Sequence, residues 1–172
     1  KLGLTPEEAA TIVLGTLLGS IINLPIYSVA AKENHHLVIS ASQKLLWETF
    51  QPTRKGKVVI AINVGGCLIP VSLCIYFIFL QELEPIKIII NTLAISALCY
   101  KSSRLILGFG VGMPVFLAPL TAALLALLID PEHAASLAYI SGVLGVLIGA
   151  DIFRLNEIAS LGAPVASIGG AG

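Results

Sequence analysis

The chain has 172 residues with ten basic and ten acidic side chains, 56% hydrophobic and 12% charged residues, and a mean hydropathy of +0.95. Water-soluble domains carry about 25% charged residues, so this composition lacks the polar groups to cover a surface facing water, and a lipid bilayer is the expected solvent. Zero net charge leaves no footprint for nucleic acid, and Cys67, Cys74 and Cys99 sit in apolar runs without the spacing of a disulfide framework or a zinc site.

No basic stretch leads into a small-residue cleavage site, so no signal peptide is expected. The opening on Lys1 and the glycine-rich end at Gly172 read as a cut or processed portion of a longer protein. Apolar runs of about 20 residues are candidates to cross a hydrocarbon core of about 30 Å. The first, about residues 7–31, opens on Thr5-Pro6-Glu7-Glu8, a cap residue, a proline suited to the first helical position and two acids favoured by the helix dipole. Within it Asn23 precedes Pro25, which predicts a kink. The connection 32–57 is too polar to span, and Trp47 with its flanking bases suits a segment at the headgroup level, helical or extended. His35 and His36 lie there and read as solvated loop residues, as does His133 in a later loop.

The second span, residues 58–80, carries Asn63-Val64-Gly65-Gly66 and Pro70, a second polar-then-proline feature. Kinked packing or a polar cavity lined by broken helices are its two readings. The third span is residues 85–100. Gly108 to Pro114 has the look of a nucleotide-binding loop, yet follows no strand of a βαβ unit, so nucleotide binding is rejected in favour of a hinge or a tight helix entry. The fourth span is residues 113–129. Asp130-Pro131-Glu132 reads as a helix cap, and the fifth span is residues 134–153. A sixth apolar segment begins after Pro164. The expectation is therefore an all-α polytopic bundle, a single transmembrane domain over residues 1–172, with five complete spans and the start of a sixth. Eight bases in the connections on one side (Lys32, Lys44, Arg54, Lys55, Lys57, Lys101, Arg104 and Arg154) against Lys1 and Lys87 on the other place the N-terminus outside.

Asp151 is the candidate site. It follows an unbroken apolar run in which Gly142, Gly145 and Gly149 form a small-residue stripe where another helix can approach. A carboxylate at such depth marks function by default. The plainer alternative is an interfacial ion pair with Arg154. Three chemistries use such an acid: proton or cation relay, charge pairing with a substrate, and aspartyl peptide hydrolysis. The last needs two carboxyl groups sharing a proton. Asp130, the other aspartate, lies roughly 30 Å away along a continuous helix and is excluded. Glu157 would approach only if the chain reverses, so a dyad requires an acid beyond Gly172.

Asn23-Leu24-Pro25-Ile26, Ile60-Ala61-Ile62-Asn63-Val64-Gly65-Gly66, Gly149-Ala150-Asp151 and Ser167-Ile168-Gly169-Gly170-Ala171-Gly172 together resemble a family of small archaeal and bacterial multi-pass proteins of long-unknown function. That family is similar to presenilins and signal peptide peptidases in having two intramembrane aspartates. The resemblance implies a minimal intramembrane aspartyl protease in the cell membrane, cleaving transmembrane peptides. Asp151 would be one catalytic acid, and the other would follow the glycine-rich stretch. Gly149-Ala150-Asp151 only partly matches the presenilin Gly-x-Gly-Asp. Beside the bilayer and a peptide substrate, no cofactor or metal is implied. A small proton- or cation-coupled transporter or channel subunit titrating at Asp151 is the alternative, and a purely structural Asp151–Arg154 pair is a third.

Overall fold

The computed structural model describes residues 2–30, 57–106, 110–158 and 165–170. The first helix, α1 (Pro6–Gly19), starts as its sequence dictates. The Thr5 hydroxyl accepts from the Glu8 backbone N–H, and Glu8 accepts from the Thr5 N–H at 2.8 Å. Such a reciprocal cap stabilises a helix start by about 1 kcal/mol. The helix stops at Gly19, half-way through the apolar run expected to form one span, and Asn23–Ala30 is instead a strand, β1. It pairs antiparallel with β2 (Lys57–Asn63), from Asn23 opposite Asn63 to Ala30 opposite Lys57. The second expected span is divided in the same way: β2 passes into a π-helical turn, Val64–Leu68, and then into α2 (Ile69–Leu80).

Neither proline kinks a helix. Pro25 lies on an outer strand, at an irregularity of register between Pro25 and Tyr27, where a missing ladder donor is tolerated. Pro70 stands in the first turn of α2, where an N–H has little to bond. The all-α expectation is thus corrected to a mostly helical chain with a small sheet. Its third strand, β5 (Val165–Ile168), lies where a sixth helix was expected and runs parallel to β2, giving the order β1-β2-β5. Two further strands, β3 (Arg104–Ile106) and β4 (Gly110–Gly112), form an antiparallel ribbon across the glycine-rich stretch expected to be a hinge. The expectations for residues 32–56, including His35, His36 and Trp47, lie outside the described residues.

The remaining helices follow the apolar pattern: α3 (Pro85–Ser102), α4 (Leu117–Ile129) and α5 (Ala134–Val146). α5 continues through a second π-helical turn, Leu147–Asp151, and a tight turn, Ile152–Arg154, into α6 (Leu155–Ile158). Among the described residues, the stretch Ala134–Glu157 is the helix long and apolar enough to cross a membrane, whereas Val64–Leu80 and Leu117–Ile129 are apolar but shorter. The five full helical spans are therefore not evident.

α5 is the centre of the packing, touching α2, α3 and α4. One apolar cluster joins Cys74 and Phe77 of α2 to Ala126, Leu137 and Ile140, and the Phe77 and Tyr139 rings meet edge to face with centroids 5.4 Å apart. A second cluster joins Ile95 and Cys99 of α3 to Ala118, Ala122 and Ala150. The glycine stripe of α5 makes the approach of α3 close: a Cβ on Gly145 would lie 2.5 Å from Ile95 Cγ2, and one on Gly149 would overlap the Ser96 carbonyl. Large apolar side chains also face outward, among them Leu14, Leu17 and Leu18 of α1, Phe79 (86% exposed) and Leu128 (80%).

Candidate functional site

Asp151 is the last residue of the second π-helical turn. Such a turn widens a helix locally and re-aims the side chains on it, and it is frequent at functional sites. The carboxylate is partly buried, and its Oδ2 accepts the backbone N–H of Gly169 at 2.7 Å. Gly169 follows β5 directly and has φ +75°, a conformation that favours glycine. It also crosses Gly66 in the first π-helical turn so closely that a Cβ on Gly66 would overlap the Gly169 carbonyl. Two glycines thus let the ends of β2 and β5 meet beside the carboxylate.

A polar knot fastens this crossing. Asn63 Oδ1 accepts the Gly66 N–H at 2.7 Å, and Asn63 Nδ2 donates to the Ser20 carbonyl at 2.7 Å and to Asn23 Oδ1 at 3.0 Å. The Ser167 hydroxyl donates to the same Asn23 oxygen at 2.5 Å. The two polar-then-proline features singled out in the sequence are therefore one structure: Asn23 and Asn63 touch, and both hold the strand that delivers Gly169. A cleft of about 660 Å³ opens alongside, lined by Asp151, Gly66, Gly169 and Gly170 and by Ala122 and Tyr139.

The ion pair with Arg154 does not form. The Arg154 guanidinium turns to the end of α3, donating to the Ser103 hydroxyl (2.6 Å), the Tyr100 carbonyl (2.7 Å) and the Ser103 carbonyl (3.0 Å), and lies over the Tyr100 ring. It also pairs with Glu157 at 2.8 Å. Among the described residues Asp151 has no cationic partner, and neither Asp130 nor Glu157 stands beside it as a second acid. Asp130 lies at the opposite end of α5, where it holds Lys87 at 3.1 Å and accepts the His133 backbone N–H at 3.2 Å. The expected cap does not form, since the residue before α5 is His133 and no side chain caps the helix; Asp130 instead ties the turn ahead of α5 to α3. The hydrogen bond from Lys87, reinforced by His133, holds its carboxyl below the usual range against the opposing effect of burial. His133, expected to be solvated, brings its Nδ1 within 3.2 Å of Asp130. No group of three His, Cys, Asp or Glu side chains gathers to hold a metal among the described residues.

Sequence reasoning passed over four groups inside the bundle. Asn91, Thr92 and Ser96 of α3 and Ser136 of α5 are buried, and neither end of the Asn91 amide finds a hydrogen-bond partner among the described residues. Each such group left unmade costs roughly 1–3 kcal/mol. An asparagine within the third apolar run, followed by hydroxyls at 92 and 96, was the available signal.

A mostly helical chain, one helix of membrane-spanning length among the described residues and an acid held at a glycine crossing define the class of molecule. The chain belongs to the family described as "Protein of unknown function (DUF1614)", whose profile matches residues 17–172. No curated protein and no solved structure matches it.

Proposed function

We propose that this chain is a multi-pass membrane protein acting as an intramembrane aspartyl peptidase, with Asp151 as one of two catalytic acids. The bilayer part of the reading is supported by the outward-facing leucines of α1 and by Phe79 and Leu128, which water would not favour. Strands β1 and β2 satisfy each other's backbone groups, as non-helical chain at membrane depth must. The observation that carries the catalytic part is the state of Asp151: a partly buried carboxylate on a cleft, with a main-chain donor 2.7 Å away and no cation among the described residues to neutralise it.

Hydrolysis then needs a water in the cleft and a second carboxyl group, proposed to lie beyond Gly172. A residue a few places past Gly169 starts within reach of Asp151, since a chain extends at most about 3.6 Å per residue. One carboxylate takes a proton from water as its oxygen bonds to the scissile carbonyl carbon. The other carboxyl protonates the amide nitrogen as the C–N bond breaks, leaving a carboxylic acid and an amine. β5, like β1, is an outer strand of its sheet among the described residues and ends beside the site, so an extended stretch of substrate laid along it would bring its carbonyls towards Asp151.

The test is cleavage of a labelled transmembrane peptide by the longer protein in lipid vesicles. Asp151→Asn and Asp151→Ala should each abolish product. Retained cleavage overturns the reading, as does pH-dependent ion flux that needs Asp151 and yields no peptide fragments.

A further inference from the structure

The cleft beside Asp151 is long, narrow and apolar, and its shape restricts what can fill it. The long helix contributes Ala135, Ala138, Gly142, Val146 and Ala150 to its wall. Their spacing of three or four residues sets them on one face, so the cleft follows that face from Ala135 to Asp151. At about 1.5 Å per residue the distance is roughly 24 Å. Spread over this length, the 660 Å³ of the cleft leaves a mean section of about 28 Å². An α-helix with its side chains is about 10–12 Å across and needs roughly 80 Å² or more, so no helix fits. An extended hydrocarbon chain is about 5 Å across, because carbons in contact lie about 4 Å apart, and it fits once but not twice. An extended peptide would bring an N–H and a C=O at each residue. The lining side chains are apolar apart from Tyr139 and Asp151, and burial penalises polar groups left without partners.

The end of the cleft selects the head group. Asp151 lies there with Oδ2 held by the Gly169 N–H, and among the described residues its Oδ1 has no partner and no cation pairs with it. A phosphate or carboxylate head would be repelled, and an alcohol would offer a single neutral donor. An ammonium offers three donors and the opposite charge.

We propose that the cleft binds a single-chain amphiphile with a protonated primary amine, its nitrogen on Asp151 and its hydrocarbon chain laid along α5 towards Leu2. At roughly 1.3 Å per methylene, a chain of about 16 carbons spans the cleft. The chain gains nothing over the surrounding lipid, which is equally apolar, so selectivity resides in the head. The site stands without the peptidase reading; under that reading, a bound amine keeps water from the carboxylate.

The test is photolabelling of the full protein in phosphatidylcholine nanodiscs by hexadecylamine carrying a diazirine at mid-chain, with mass spectrometry locating the adduct. Label should fall on the cleft face of α5, between Ala138 and Val146, rather than on the outward-facing Phe79 or Leu128. Unlabelled hexadecylamine should displace it at about a tenth or less of the concentration needed by hexadecanol, and hexadecanoic acid should displace it least. Asp151→Asn should bring the amine and the alcohol level. Gly142→Leu, which puts a branched chain into the cleft beside Ala122, should abolish the label, and Ala138→Leu is a second obstruction should the first fail to fold. Equal displacement by amine and alcohol in the wild type overturns the proposal and leaves the cleft to ordinary lipid. So does an amine preference that survives Asp151→Asn, or label confined to Phe79 and Leu128. A transmembrane peptide that clears the label at lower concentration than the amine overturns it too, since the cleft would then be a peptide groove. Peptide cleavage by Asp151→Asn in the same preparation removes only the peptidase reading.

Discussion

The two aspartates of this chain occupy opposite ends of one long helix and are treated in opposite ways. Asp130 is surrounded by compensation: the Lys87 ammonium, the His133 backbone N–H and the His133 ring all converge on it. Lys87 itself sits in the first turn of α3, where the helix dipole disfavours a cation, and Glu84 and Asp130 offset that from two sides. Among the described residues Asp151 receives one main-chain N–H and no cation, although Arg154 is only three residues away. An acid held by a cation and a main-chain donor at once fastens helices together. An acid left with one donor keeps its capacity to exchange a proton.

The sharpest break of this comparison is a pair of isosteric substitutions. Asp151→Asn should reduce peptide cleavage by roughly 100-fold or more, the usual scale for losing an acid–base group, with the melting temperature unchanged or raised. Asp130→Asn should do the reverse. If both variants lose activity and stability together, the two acids are not different in kind. Gly169→Ala should come next in size. The added methyl collides with Gly66 and strains the positive φ, so the donor to Asp151 shifts, and misplacement of this kind costs on the order of 100-fold or less in rate. Product formation by that variant at the wild-type rate would show that the Gly169 N–H is dispensable.

Two residues before Asp151, Gly149→Ala pushes into the Ser96 backbone and should lower stability by about 1–3 kcal/mol, read by denaturation in detergent. The smallest effect is the pH dependence at the Asp130 end. Its folded pKa lies below the ordinary value of 3.8, so its contribution is complete above that value and fades as the pH falls through the lowered one. The melting temperature of the wild type should therefore drop by a few degrees more than that of Asp130→Asn on acidification below about pH 4. Parallel acid profiles would remove Lys87–Asp130 as a stabilising pair.

The sequence revealed helix starts and missed strands for a physical reason. The Thr5–Glu8 cap and the runs that became α3, α4 and α5 carry local chemistry that only a helix satisfies. Residues 20–30 and 57–63 are apolar on both faces, so no alternation marks them as strands, and each abuts a helix with which it makes up the length of a single span. Asp151 stood out because a charge in an apolar run is costly wherever it lies. Its donor did not, because a main-chain N–H belongs to no residue type. Asn23 and Asn63 were noticed separately; only the antiparallel register makes them partners.

The hydrogen bond from Ser167 to Asn23 spans 144 positions of sequence. Contacts so distant close late in folding, and β5 is the last described strand to leave a ribosome. The surroundings of Asp151 are therefore completed only once β5 has been made, so until then the carboxylate of a growing chain lacks the Gly169 N–H that holds it.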